Sequence, residues 1–163
     1  MKWLLIVAGI LVCAVLIVLL IGYFLPVKHR VSIATAVHAS PNQVWERLTD
    51  IRNYPNWRKD VKSVEQLSDT EWTEVDPHDH RLPFKIVSSD RDLRLVTRIN
   101  GQHLPFGGTW EYRIGKGGNG TTVTITEDGE VYNPLFRFVS KFIMGHTATL
   151  KRYSAYLEQS FKE

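Results

Sequence analysis

The 163-residue sequence has a single cysteine, Cys13, and it lies inside an apolar run. The rest of the chain therefore offers no disulfide, no thiol nucleophile and no cysteine ligand for zinc. Charge is missing near the start. All 17 acidic residues lie after residue 31, as do 17 of the 20 lysines and arginines. The stretch from Val31 to Glu163 is neutral, and the net charge of +3 comes from Lys2, Lys28 and Arg30 alone. No basic domain exists, which argues against nucleic acid as a partner. Internal repeats and low-complexity tracts are also absent. The glycine-rich stretch 115–120 lacks the lysine-serine ending and the following helix of a phosphate loop, so it reads as a turn. Asn119-Gly120-Thr121 fits a glycosylation sequon but falls in that same turn.

What is present divides the chain in two. From Trp3 to Leu25, 21 of 23 residues are apolar, with Gly9 and Gly22 the exceptions. As a helix this run spans about 34 Å, against a hydrocarbon core of roughly 30 Å. A cleaved signal peptide would need a shorter core and small residues at its exit, where Tyr23, Phe24 and Leu25 stand. Residues 1–27 are therefore expected to form a single-pass membrane anchor, touching the bilayer through residues 3–25. Trp3 and Tyr23 suit the two interfaces, and Pro26 ends the helix. The charges of Lys28, Arg30 and Arg47 favour a cytoplasmic globular part by a small margin, while default insertion of a short-tailed anchor favours the opposite. The remaining 140 residues are about 36% apolar, an ordinary soluble composition.

Residues 29–39 alternate with β-branched side chains and predict a first strand. Ser40-Pro41 supplies an N-cap and a first-turn proline, and Val44, Trp45, Leu48 and Ile51 follow at helical spacing over 41–51. A second short helix is expected through Arg58 and Val61. Strands are expected at 62–68, 70–76, 82–90, 93–100, 108–115 and 121–131, joined by short turns as an antiparallel meander. One long helix then runs from Pro134 to Phe161, with Phe136, Val139, Ile143, Leu150, Leu157 and Phe161 on one face. Gly145 marks a bend or a close packing point within it.

At this point the sequence resembles a known family. Pro41, Val44, Trp45, Leu48 and Asp50, followed by Tyr54, Pro55 and Trp57, look like the opening signature of the SRPBCC superfamily. These are the START-like helix-grip proteins, which include polyketide cyclase/dehydrase-like and lipid-transport domains. The resemblance extends in element order over residues 31–163. It implies an α+β fold in which a curved antiparallel sheet of about seven strands grips a long C-terminal helix, with two short helices after the first strand. It also implies a hydrophobic cavity between sheet and helix, and no particular reaction.

Several residues become candidate cavity lining on that footing. Trp72, Phe84, Trp110 and Tyr112 are strand aromatics, which would equally fill a core. Phe136, Ile143 and Leu150 belong to the helix face. His146 stands one residue from that face and could orient a ligand or act as a general acid or base; its plainer role is a boundary histidine. Arg98 and His103 flank Asn100-Gly101, and residues 101–108, with Phe106, form either a gate or an ordinary hairpin loop. His78 and His80 would point the same way in a strand, as metal ligands do, but no third ligand is evident and a polar turn is the better reading. No catalytic triad can be assembled, and no pair of carboxylates stands out on an inward face. The expected partner is a hydrophobic or lipid-like small molecule, with no metal and no cofactor. The alternatives are a cyclase-type enzyme in the same pocket and a protein-interaction module without a ligand.

Overall fold

A computed structural model describes residues 2–118 and 120–162; the sequon at Asn119 lies outside the described residues. Helix α1 (Lys2–Phe24) stops two residues before Pro26 and leads into strand β1 (Lys28–Val37). Helix α2 (Pro41–Thr49) begins at Ser40 with a reciprocal capping box. The Gln43 amide donates to Ser40 Oγ at 3.3 Å, and the Ser40 amide donates to Gln43 Oε1 at 2.8 Å. A 3₁₀ turn (Ile51–Asn53) and helix α3 (Tyr54–Trp57) follow. The second helix thus ends at Trp57 rather than running through Arg58 and Val61. Arg58 adopts an extended backbone, which turns its guanidinium into the core.

The meander expected from the turn signals is present as β2 (Ser63–Gln66), β3 (Glu71–Val75), β4 (Arg81–Asp90), β5 (Arg94–Ile99), β6 (Phe106–Gly117) and β7 (Gly120–Val131). The seven strands form one curved antiparallel sheet in the order β1-β7-β6-β5-β4-β3-β2. Only β1 pairs out of sequence, with Ile33 opposite Ile125. The inward face of the sheet carries Val37, Trp72, Leu95, Tyr112, Ile114, Val123 and Ile125, covered by Val44, Trp45 and Leu48 of α2 and by Leu150, Tyr153 and Leu157. Burying such a side chain contributes roughly 1.5–3 kcal/mol.

The C-terminal helix departs from the expected single element. Helix α4 (Pro134–Val139) passes into a π-helical turn (Ser140–Met144), the chain breaks at Gly145, and helix α5 (Ala148–Gln159) completes it. Gly145 has φ 76°, a left-handed conformation that glycine adopts without strain, and open space surrounds its Cα. It is a break and not a close packing point. The physical reason lies on the other side of α4. The Pro134 carbonyl packs on Gly22 of α1, where any Cβ would overlap it. Arg137 donates to the carbonyls of Tyr23 and Leu25 at 3.1 and 2.8 Å, satisfying acceptors that the end of α1 leaves open. Helix α5 packs on β1 and β7, while α4 is held mainly by α1, with a smaller contact to β7. Phe136 and Ile143 consequently do not share a face with Leu150.

A charged pair, Arg58 and Glu74, is buried inside the fold. Arg58 donates to Glu74 Oε1 at 2.9 Å and to Asp60 Oδ2 at 3.1 Å, and lies over the Tyr54 and Tyr153 rings at 5.1 Å each. Trp72 Nε1 donates to the same Glu74 oxygen at 3.2 Å. Burial alone would lower the Arg58 pKa, but Glu74, Tyr153 and Asp60 hold it above its ordinary value. Replacing Arg58 by Met leaves Glu74 buried without a cation and is expected to cost about 3–5 kcal/mol, most of it recovered in an Arg58→Met/Glu74→Leu pair. Urea denaturation of the three chains checks this; a loss of only about 0–1 kcal/mol, the range of an exposed pair, contradicts it.

Candidate functional site

The strand alternation that points Val123 and Ile125 inward carries Glu127 inward as well. On β1 the same phase, through Val31 and Ile33, brings in His29. Val31 faces Glu127 across the β1–β7 ladder, Trp110 faces it from β6, and His29 stands opposite Gly129. Gly129 has no side chain, and its position explains why. A Cβ there would overlap the His29 ring, so glycine makes room for the imidazole to lie flat on the sheet.

Three polar groups converge at this end of the inward face. His29 Nε2 lies 3.7 Å from Glu127 Oε1, and the two side chains are only 16% and 18% exposed. The His29 and His146 rings stack with centroids 4.1 Å apart and planes 22° from parallel. His146 comes just after the Gly145 break, and its Nδ1 is 3.1 Å from Ser140 Oγ, so this contact bridges the break. Glu127 Oε2 is buried without a hydrogen-bond partner.

The electrostatics follow from that burial. Desolvation pushes the Glu127 carboxyl up to about 7. It also lowers His29, helped by the neighbouring His146, and lowers His146, helped by Lys141. Glu127 and His29 are close enough to attract, yet each shifts toward its neutral form because burial outweighs attraction at 3.7 Å. Near neutral pH the cluster can accept or release a proton beside an apolar wall, which is the chemistry of a general acid or base.

The remaining candidates fall in three places. Trp72 and Phe84 stack at 5.5 Å, and Tyr112, Trp110 and Tyr153 pack on one another with centroids 5.5–6.3 Å apart, so these rings fill the middle of the concave face. Desolvation raises Tyr112 and Tyr153 well above the ordinary tyrosine value. Leu150 is fully buried there. Arg98, His103 and Phe106 are exposed, with His103 at φ 62° in the loop before β6. Phe136 and Ile143 are exposed on the segment beside α1. Of the whole set, His146 and Trp110 stand at the polar cluster. His78 and His80 belong to the β3–β4 turn, where Asp76 accepts from both backbone amides and from His80 Nδ1. Among the described residues no group of three ligating side chains is placed to hold a metal ion. Two open clefts, of about 70 and 420 Å³, flank the far end of β1, and no residue of the candidate set lines either.

Residues 37–149 match the family described as polyketide cyclase / dehydrase and lipid transport. The chain belongs to that family. Solved structures of the same fold include a START superfamily protein from Mycobacterium smegmatis, with a TM-score of 0.67 and 17% identity over 82% of this chain and 97% of that one. Norcoclaurine synthase from Thalictrum flavum superposes with a TM-score of 0.65 and 13% identity, over 84% of this chain and 88% of that one. The same synthase has been solved in complex with dopamine and hydroxybenzaldehyde, with a TM-score of 0.64, 13% identity and coverage of 82% and 86%. At such identities the likeness is one of fold. No curated protein matches the chain. Family membership explains the packing signature in α2 and α3. It does not by itself account for Glu127 and His29, which the hydrophobic pattern of the strands could have revealed: each continues an inward phase with a polar residue. Glu74 does the same after Trp72, so the inward face holds two carboxylates in two separate clusters.

An acid whose folded pKa is raised contributes stability below its unfolded value and loses it as pH rises through the folded value. For Glu127 that window runs from its ordinary 4.5 to about 7. Glu127→Gln is therefore expected to melt like the parent at pH 4 and to be more stable by about 1–3 kcal/mol at pH 8. Thermal melts of both chains across this range measure it, and a Gln variant that does not gain on the parent between pH 4 and pH 8 contradicts the assignment.

Proposed function

We propose that this protein binds a hydrophobic or lipid-like small molecule between the sheet and the C-terminal helix, and that α1 holds it at a membrane. The observation that carries the reading is the polar trio of Glu127, His29 and His146, set in an apolar wall at the end of the inward face nearest α1. A mostly apolar surface with a few convergent polar groups is the usual form of a small-molecule site. An unpartnered carboxyl oxygen within it is suited to a ligand hydroxyl or amine. Helix α1 is 23 residues long and free of buried side chains, which suits a span. A tethered site meets molecules dissolved in the bilayer at high effective concentration. On this reading residues 1–27 are the anchor, 31–163 the binding domain, and Trp72, Phe84, Tyr112 and Leu150 the packed core that backs the site.

A second reading, an enzyme of the cyclase type, draws on one observation: a carboxyl with a pKa near 7 stands beside a histidine. Such a pair can take a proton from carbon or oxygen and return it. A bound molecule turned over by the parent and left unchanged by Glu127→Gln supports it.

Native mass spectrometry of the full chain released from detergent or nanodiscs tests the binding. An apolar molecule is expected to be retained from a lipid extract. Glu127→Ala combined with His146→Ala is expected to weaken retention about tenfold or more, the effect of losing one or two hydrogen bonds. Retention of nothing by the folded parent rules the reading out. The intact mass of the membrane-fraction chain, with residues 1–25 still attached, separates an anchor from a cleaved leader.

A further inference from the structure

The stretch from Val131 to Leu157 contains no acidic residue and carries Arg137, Lys141, Lys151 and Arg152. Within it, Leu135, Phe136, Phe142, Ile143 and Met144 are exposed, with Phe142 at 56% and Ile143 at 70%. Among the described residues no element covers these side chains fully, although Phe138 and Phe142 pack together at 4.9 Å and Lys141 lies 5.7 Å over the Phe142 ring. The position of the segment identifies what does. Gly22 lies within the last turn of α1, about 3 Å short of its end along the axis. The Pro134 carbonyl rests on it, and Arg137 holds the carbonyls of Tyr23 and Leu25. The exposed apolar residues are thereby fixed at the depth where a span leaves the hydrocarbon, beside the exposed rings of Tyr23 and Phe24.

We propose that Pro134–Met144 is an interfacial membrane element that inserts its apolar side chains into the headgroup–acyl boundary of an anionic bilayer, flush with the end of α1. The proposal rests on reading α1 as a span. Whatever apolar medium covers Ile21, Tyr23 and Phe24 is continuous with the medium next to Phe136 and Ile143, so one occupant, the lipid, covers both. A short basic segment with bulky apolar residues and no acid is the composition that such insertion favours. Lys141 reaches the headgroups, while the Arg137 fork is engaged with α1. The break at Gly145 then has a physical role. It lets residues 134–144 follow the membrane surface while α5 stays on the sheet. The Ser140–His146 contact joins the inserted segment to the polar cluster, so the bilayer forms part of the wall of the binding site.

Depth-dependent quenching tests this with the full chain. Cys13→Ala supplies a cysteine-free background. Ile143→Cys and, separately, Phe142→Cys report on the segment, Leu20→Cys on the span and Lys116→Cys on the aqueous side. Each is labelled with an environment-sensitive fluorophore and reconstituted in phosphatidylcholine vesicles containing phosphatidylglycerol. Labels at 142 or 143 are expected to shift to the blue, to be quenched by lipid-borne nitroxide and to resist iodide, as at 20 and unlike 116. If both segment labels are quenched by iodide while the label at 20 resists it, the proposal fails and the span stands. If the label at 20 is itself open to iodide, the span reading and the proposal fail together.

Discussion

A glycine on α1 admits the backbone of another helix, and much of the structure depends on that close approach. With Gly22 under Pro134 and Arg137 on the last carbonyls, α4 becomes part of the apolar helix rather than part of the sheet. A three-residue link joins α1 to β1, so the sheet cannot swing far from the helix end. The C-terminal segment is thus pulled in two directions, toward α1 by Arg137 and toward the sheet by Leu150, Tyr153 and Leu157. Gly145 is where it yields. The polar cluster lies at that junction, built from one strand of each pairing partner and the first residue after the break.

The centre of the concave face follows a different logic. Two tyrosine rings pack against an arginine that is neutralised by Glu74 and Asp60. Burying ions is costly, and apolar substitutes of similar volume are often as stable. What the arrangement provides is geometry: Glu74 fixes Trp72 through its indole N–H, and Arg58 packs on the Tyr54 and Tyr153 rings. Trp72 thus has a fixed hydrogen-bond partner inside the wall.

Most of the sheet was legible in the sequence because turn residues and period-two alternation are local signals. Asp90-Arg91-Asp92 and the glycine-rich stretch after Ile114 punctuate strands that begin and end within about two residues of expectation. The N-cap at Ser40 with Pro41 behind it was equally plain, though not the reciprocal contact with Gln43. The broken helix was not, because Phe136, Val139, Ile143 and Leu150 keep helical spacing whether or not the helix is continuous. Periodicity records which residues are apolar; it does not record that α1, more than a hundred residues earlier, competes with the sheet for them. His146 and Trp110 were readable as candidates from their place on a face. Glu127 and His29 are hidden to a reading by residue type, which assigns each to solvent; only the phase of the strands carries them inward. Such mismatches between local rule and position are where function tends to reside.

The pairing of β1 with β7 has a consequence for the order in which the molecule can be made. Hydrogen-bonded partners on these strands are separated by about 93 residues, as for Ser32 and Ile125. At ordinary translation speeds that gap corresponds to roughly 5–20 s between the two strands leaving the ribosome. Throughout that interval β1 waits directly behind α1 with both edges open, while β2 to β6 are already able to assemble as a meander of neighbours. The last strand made therefore closes the sheet and ties it to the first. The nascent chain is most exposed to mispairing just before β7 arrives, and the strand at risk is the one nearest the apolar helix.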